Sequence, residues 1–271
     1  MDRILYLDGR EIRTRAYSHT GKAAPIMIYF HGGGFVMGDI DGCSGLCLSL
    51  SEAAGRNVIA VEYRLAPEHK FPAAPEDCYE ATQQILAHCR EWYGADPDDV
   101  VLIGDSAGAT LACVVSMMAR DRGGLAASAQ VLVYPAAWCY YKDDTPFRSV
   151  IENGKTSVLN QEDLIKYAEL YTRSEEDMTN PYCAPLRHTD FSGLPRSLVL
   201  TMEYDTLRDE GIALGEKMKD AGCDVEMYTV ENADHGVLGL PRSVSPAKEI
   251  YHYLENFLTE RENNHVENEG K

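Results

Sequence analysis

Basic residues are scarce in this 271-residue chain: 25 lysines and arginines stand against 43 aspartates and glutamates, a formal net charge of −18. A chain this acidic offers no basic face to a phosphate backbone or an anionic bilayer, which argues against nucleic-acid binding and stable membrane association. Long apolar runs are missing too. No stretch approaches the roughly eighteen uninterrupted apolar residues of a membrane helix. The opening Met1–Arg10 carries charges where a secretory leader needs an apolar segment. These absences predict a cytoplasmic protein. Paired metal-ligand spacings are also absent. The eight cysteines (43, 47, 78, 89, 113, 139, 183, 223) are scattered, several in apolar runs, and no second Cys/His pair accompanies Cys43 and Cys47. They read as small core hydrophobes in a reducing compartment rather than as disulfides or a zinc site. Neither a metal nor an organic cofactor is expected.

What is present is strand–helix alternation. With 45% hydrophobic residues, the chain suits one α/β domain spanning 1–271. Arg3–Leu7 and Glu11–Ser18, separated by Asp8-Gly9, read as a β-hairpin. Continuous apolar runs at Pro25–Phe30, Asn57–Val61, Val100–Ile103, Val131–Tyr134, Ser197–Met202 and Asp224–Val230 predict buried strands. Helices are expected over 43–54, 72–92, after residue 106, and over 210–221 and 243–258. This pattern gives a mostly parallel twisted sheet with helices on both faces. Alternation lapses over 138–195, an insertion long enough to cover something and containing a polar helix at 161–170. The charged residues 260–271 read as a disordered tail.

Between the strand Val100–Ile103 and the helix that follows lies Gly104-Asp105-Ser106-Ala107-Gly108. G-x-S-x-G describes a turn so tight that the serine is strained, glycines on either side remove Cβ clashes, and the hydroxyl projects above the sheet. The helix starts there as well, so the Ala107 N–H points toward a developing oxyanion. Upstream, Pro25–Phe30 empties into His31-Gly32-Gly33-Gly34-Phe35. Three glycines flanked by apolar residues suit a loop whose backbone N–H groups must approach a ligand.

A serine hydroxyl needs a base, and the base needs an acid to fix its tautomer. In the G-x-S-x-G arrangement the order is Ser, then Asp or Glu, then His, each after a later strand. Of eight histidines only His235 stands just past the last strand. Behind Ser197–Met202 stand Glu203 and Asp205. Asp205 is preferred as the acid over Glu203 and over Asp209, which reads as first-turn helix charge; Asp234, adjacent to His235, is poorly placed to reach its Nδ1.

The HGGGF and GDSAG segments, Tyr63-Arg64-Leu65-Ala66-Pro67-Glu68, Phe71-Pro72-Ala73-Ala74, Tyr204–Gly211 and Asp234-His235-Gly236 together resemble the hormone-sensitive-lipase-like family of α/β-hydrolases. The resemblance runs from about residue 25 to 258. It implies an α/β-hydrolase fold and a carboxylesterase with Ser106 as nucleophile, His235 as base and acid, and Asp205 as orienting carboxylate. It implies an oxyanion hole from the N–H groups of Gly33, Gly34 and Ala107, a structural His31, and scaffold roles for Tyr63 to Glu68. Members of this family often carry cap helices before the first strand, whereas here a strand begins near Met1. The 138–195 insertion or a neighbouring subunit is then expected to complete the cap, leaving an open or shallow site for acetyl to butyryl esters. Phe35 and the aromatics of the insertion, Trp138, Tyr140, Tyr141, Phe147 and Tyr182, are candidates for the pocket wall. A homodimer would suit such a truncated cap. The same triad also serves deacetylases of acetylated sugars and amidases or formamidases, since the leaving group is read by the cap. A non-catalytic receptor on this fold is the remaining alternative; such proteins typically lose a triad member.

Overall fold

The computed structural model describes residues 1–269 except His19 and Asp143, with backbone only for 260–269. His19, read as a surface histidine, thus lies outside the described residues, as do Gly270 and Lys271 of the expected tail. An antiparallel hairpin, β1 (Asp2–Leu7) and β2 (Arg10–Tyr17), opens the chain, with the predicted Asp8-Gly9 at its turn. Gly9 takes a positive φ of 71° there, which glycine adopts without a Cβ penalty. Then come β3 (Ile26–Phe30), α1 (Ser44–Ala54), β4 (Asn57–Val61), α2 (Ala73–Ala87), α3 (Cys89–Tyr93), β5 (Val100–Asp105), α4 (Ala107–Arg122) and β6 (Ala129–Val133). After a long excursion carrying α5 (Arg148–Asn153) and α6 (Gln161–Tyr171) come β7 (Arg196–Met202), α7 (Arg208–Asp220), β8 (Val225–Val230) and α8 (Ser245–Glu269).

The eight strands form one sheet in the order β1-β2-β4-β3-β5-β6-β7-β8. Pairing is parallel from β4 through β8 and antiparallel where β1 meets β2 and β2 meets β4. The continuous apolar runs of β3, β5 and β6 follow from burial on both faces. Along β5, Val100 and Leu102 face one core with α2, α4 and α7, while Val101 and Ile103 face the other with α1 and α8. Helix α4 crosses the middle of the first face, and every residue from Ala107 to Ala119 is buried.

Two sequence expectations need correction. The helix expected over 72–92 is two helices parted at His88, whose N–H caps α2 by donating to Gln84 O. α5 was not anticipated, since six residues carry too little periodicity to register. α8 runs as backbone through Glu269.

One buried charge ties the hairpin to the loop after β4. Asp77 on α2 has no solvent exposure, and it accepts from Arg10 Nε at 2.5 Å and from Arg64 N, Nε and Nη2 at 3.0, 2.8 and 2.9 Å. Glu68, expected in the same scaffold, is exposed instead. Removing the carboxylate leaves two cations without a buried partner, although both arginines keep some access to water. We expect Asp77→Ala to lose about 2–3 kcal/mol, read as a lower denaturation midpoint with an unchanged m-value.

Candidate active site

Ser106 sits between β5 and α4 with φ 54° and ψ −123°, a conformation that a side-chain-bearing residue holds only when its surroundings enforce it. The enforcement is steric and hydrogen-bonded. A Cβ on Gly108 would lie 1.9 Å from Phe30 O, and one on Gly104 would lie 2.3 Å from Gly108 C. Ser106 N donates to Val133 O at 2.9 Å, and Ser106 O accepts from Thr110 N at 3.1 Å as α4 begins.

The two partners arrive from the ends of β7 and β8. Ser106 Oγ lies 3.0 Å from His235 Nε2, and His235 Nδ1 lies 2.8 Å from Asp205 Oδ2. Asp205 is fully buried, and its other oxygen accepts from Leu207 N at 2.9 Å. The remaining carboxylates are engaged elsewhere. Glu203 accepts from Asn232 N, Asp209 from Ser149 N and Arg208 Nε, and Asp234 from Ser157 Oγ and Val158 N. Of these carboxylates, Asp205 is the one within hydrogen-bond distance of His235 Nδ1. Burial alone would push the His235 imidazole down, but the charge of Asp205 and its hydrogen bond outweigh burial, and Asp105 and Asp234 add to them. The net direction is upward.

A second, partly buried carboxylate joins the serine turn to the glycine loop. Asp105 Oδ1 accepts from Tyr29 Oη at 2.6 Å and from Gly32 N at 3.1 Å. Burial raises its pKa, against the hydrogen bond from Tyr29 and the nearby histidines. His31 is structural in this arrangement. Its ring stacks on Tyr63 at 4.3 Å, its Nδ1 lies 2.7 Å from Gly32 O, and Tyr63 Oη donates to His31 O. Burial lowers its pKa, so the ring is held neutral. Gly33 and Gly34 both have positive φ; a Cβ on Gly33 would strike Met37 O at 2.2 Å, and one on Gly34 would strike the Tyr167 ring at 2.7 Å.

Gly33, Gly34, Ala107, Ser106 and His235 border one cavity of about 310 Å³. Of the aromatic candidates, Phe35 and Tyr141 line it, whereas Trp138, Tyr140, Phe147 and Tyr182 do not. Cys139 adopts φ 63°, which turns the chain so that Cys139 and Tyr141 face the cavity. Trp138 instead packs edge-on against Phe147 and under the Arg187 guanidinium, Tyr140 Oη donates to Asp144, and Tyr182 Oη donates to Asp121. Sequence reasoning missed the α6 lining, Leu164, Tyr167, Ala168 and Tyr171. Their spacing marks one helical face, but nothing in it says what that face covers. Tyr171 stacks on Phe35 at 4.0 Å, which docks α6 on the glycine loop.

A mostly parallel eight-stranded sheet with a strand–turn–helix elbow at its centre and a histidine loop after the last strand belongs to the α/β-hydrolase class. The family model of the α/β-hydrolase fold matches residues 27–239, and the chain belongs to that family, as the resemblance implied. Esterase LipI of Mycobacterium tuberculosis is 39% identical over 229 residues, which cover 83% of this chain and 69% of LipI. Carboxylic ester hydrolase LipN of the same organism is 35% identical over 236 residues, 85% of this chain and 62% of LipN. A solved hyperthermophilic esterase from the archaeon Pyrobaculum calidifontis superposes with a TM-score of 0.90 at 33% identity, over 96% of this chain and 83% of its own. No helix among the described residues is long and apolar enough to cross a membrane.

An NMR titration of the His235 imidazole should report a pKa above the ordinary value of about 6.5. In Asp205→Asn it should fall by at least about one pH unit, because burial then acts with less opposing charge. An unshifted wild-type imidazole would contradict the electrostatics described above.

Proposed function

We propose that the protein is a serine carboxylesterase that hydrolyses short-chain esters, acetyl to butyryl, through an acyl-enzyme on Ser106. The observation that carries this reading is the unbroken hydrogen-bond line from Ser106 Oγ through His235 to Asp205 at the edge of an apolar cavity. The names of the similar proteins, esterases and carboxylic ester hydrolases, support the same chemistry.

In the proposed cycle His235 Nε2 takes the Ser106 proton as the hydroxyl attacks the ester carbonyl, and Asp205 stabilises the imidazolium that forms. The N–H groups of Gly33, Gly34 and Ala107 hold the oxyanion; all three residues border the cavity, and Ala107 opens α4. Each such donor contributes on the order of 3 kcal/mol to the transition state. Collapse expels the alcohol with the proton from His235, and a water activated by the same ring releases the acid. The segment 138–195 serves as the cap, through the α6 face that roofs the cavity. A cavity of about 310 Å³ walled by Phe35, Tyr141 and Tyr171 favours small acyl groups over long chains. The eight cysteines stand as free thiols, which suits work in the reducing cytoplasm.

A p-nitrophenyl ester series from acetate to laurate tests this. Activity should peak at acetate or butyrate and fall by at least ~10³-fold in Ser106→Ala. Wild-type rates from folded Ser106→Ala protein would sink the mechanism, and a maximum at laurate would sink the short-chain assignment. Because His235 must be neutral to accept the proton, kcat/KM should rise with pH through an apparent pKa above about 6.5, the ordinary histidine value. A limb lying well below that value would mean another group is the base.

A further inference from the structure

The cavity beside Ser106 does not end in bulk protein. A second cavity of about 270 Å³ lies behind it and opens to solvent past the exposed Lys142 and Glu175. Cys139, Tyr141 and Ala168 line both spaces. All three are buried, so the separation between the cavities is one side chain thick at these positions. Tyr141 is held at both ends: its hydroxyl donates to Glu210, and its carbonyl accepts from Gln161 Nε2 at 2.9 Å. The other two contributions are small. Ala168 offers a methyl group from α6, and Cys139 offers a single sulfur that lies 3.7 Å from Cys183 Sγ. Beyond them the second cavity adds the apolar Ile165 and Met178, together with the charged Lys70, Lys142, Glu169, Arg173 and Glu175.

We infer that the Cys139–Ala168 partition is the specificity determinant that sets the maximum acyl length, with the second cavity as the blocked continuation of the acyl site. This deepens the esterase reading and rests on it. The leaving alcohol takes its proton from His235, so that arm lies toward Gly236 and the largely exposed Val158 at the mouth. The acyl arm then points the other way, into the Phe35, Tyr171 and Cys183 end of the cavity where the partition stands. An apolar chain extending along this end meets the Cys139 sulfur and the Ala168 methyl, and a further methylene must displace packed atoms. A close-packed wall rejects added volume whatever lies on its far side.

Cys139 is also the position at which the partition can be opened with least disturbance to the backbone. Its φ of 63° lies in the left-handed region that glycine adopts freely. Cys139→Gly therefore removes the sulfur from the wall without straining the turn. Ala168→Leu does the reverse, thickening the wall from a helix that tolerates leucine well.

The test is the acyl series on wild type and both variants, read as ratios of kcat/KM so that general effects on the triad cancel, with melting temperatures as a folding check. Cys139→Gly should raise the octanoate-to-acetate ratio by roughly tenfold or more. Ala168→Leu should lower the butyrate-to-acetate ratio. A folded Cys139→Gly with the wild-type ratio overturns the inference, and so does a change confined to alcohol length in a matching alkyl acetate series. If Cys139→Gly does not fold, an unchanged ratio in Ala168→Leu overturns it. Failure of the underlying reading looks different: wild type would then show no Ser106-dependent ester hydrolysis at all.

Discussion

Everything at the centre of this protein depends on how closely the first turn of α4 approaches the end of β3. Gly108 has no room for a methyl group because Phe30 O occupies that place, and Gly104 packs against Gly108 in turn. This contact brings two otherwise unrelated segments together, the serine turn and the glycine loop that begins at His31. Asp105 then binds them, taking Tyr29 Oη and Gly32 N on one carboxylate oxygen. A carboxylate without water is costly unless its lone pairs are filled. The same desolvated charge lies near enough to His235 to favour its protonated form, so scaffold and electrostatics share one group.

Much of this was legible in the residues. The glycines around Ser106 and the run His31–Phe35 announce close backbone approach, and that requirement is local. Chain order after β7 and β8 singled out Asp205 and His235, because a parallel sheet delivers the C-terminal ends of its strands to one edge. Choosing among neighbouring carboxylates was also possible, since Asp209 reads as helix charge and Asp234 adjoins the histidine. The cavity wall was less accessible. Leu164, Ala168 and Tyr171 mark a helical face by spacing alone, yet the surface they cover is set by the Phe35–Tyr171 stack, a contact across more than a hundred residues. Trp138 and Tyr140 misled because aromatic character does not say which way a side chain turns in an irregular segment, and here Cys139 and Tyr141 line the cavity instead.

The excursion between β6 and β7 is packed with unusual economy. α5 is only six residues long, and much of the segment is irregular. Its order comes from polar contacts with the loops it overlies. Ser149 Oγ donates to Thr206 O, Asn153 Nδ2 to Asp205 O, and Thr206 Oγ1 to Leu159 O. Buried backbone carbonyls need such partners in any case, so a segment that supplies them is retained without regular structure of its own.

Asp234 extends that stitching to the histidine loop. One carboxylate accepts from Ser157 Oγ, from Val158 N and from the backbone N of His235. The part of the cavity wall at Val158 and Leu159 is thereby fastened to the loops that present both the imidazole and its acid. Residues 149–159 are held to Asp205, Thr206 and Asp234 at once, so displacing them would break several of these bonds together and disturb the loop that carries the imidazole. Met37 and Val158, which also line the cavity, are both exposed at its rim. Any movement that widened the cavity on this side would therefore act on the imidazole and its acid as well.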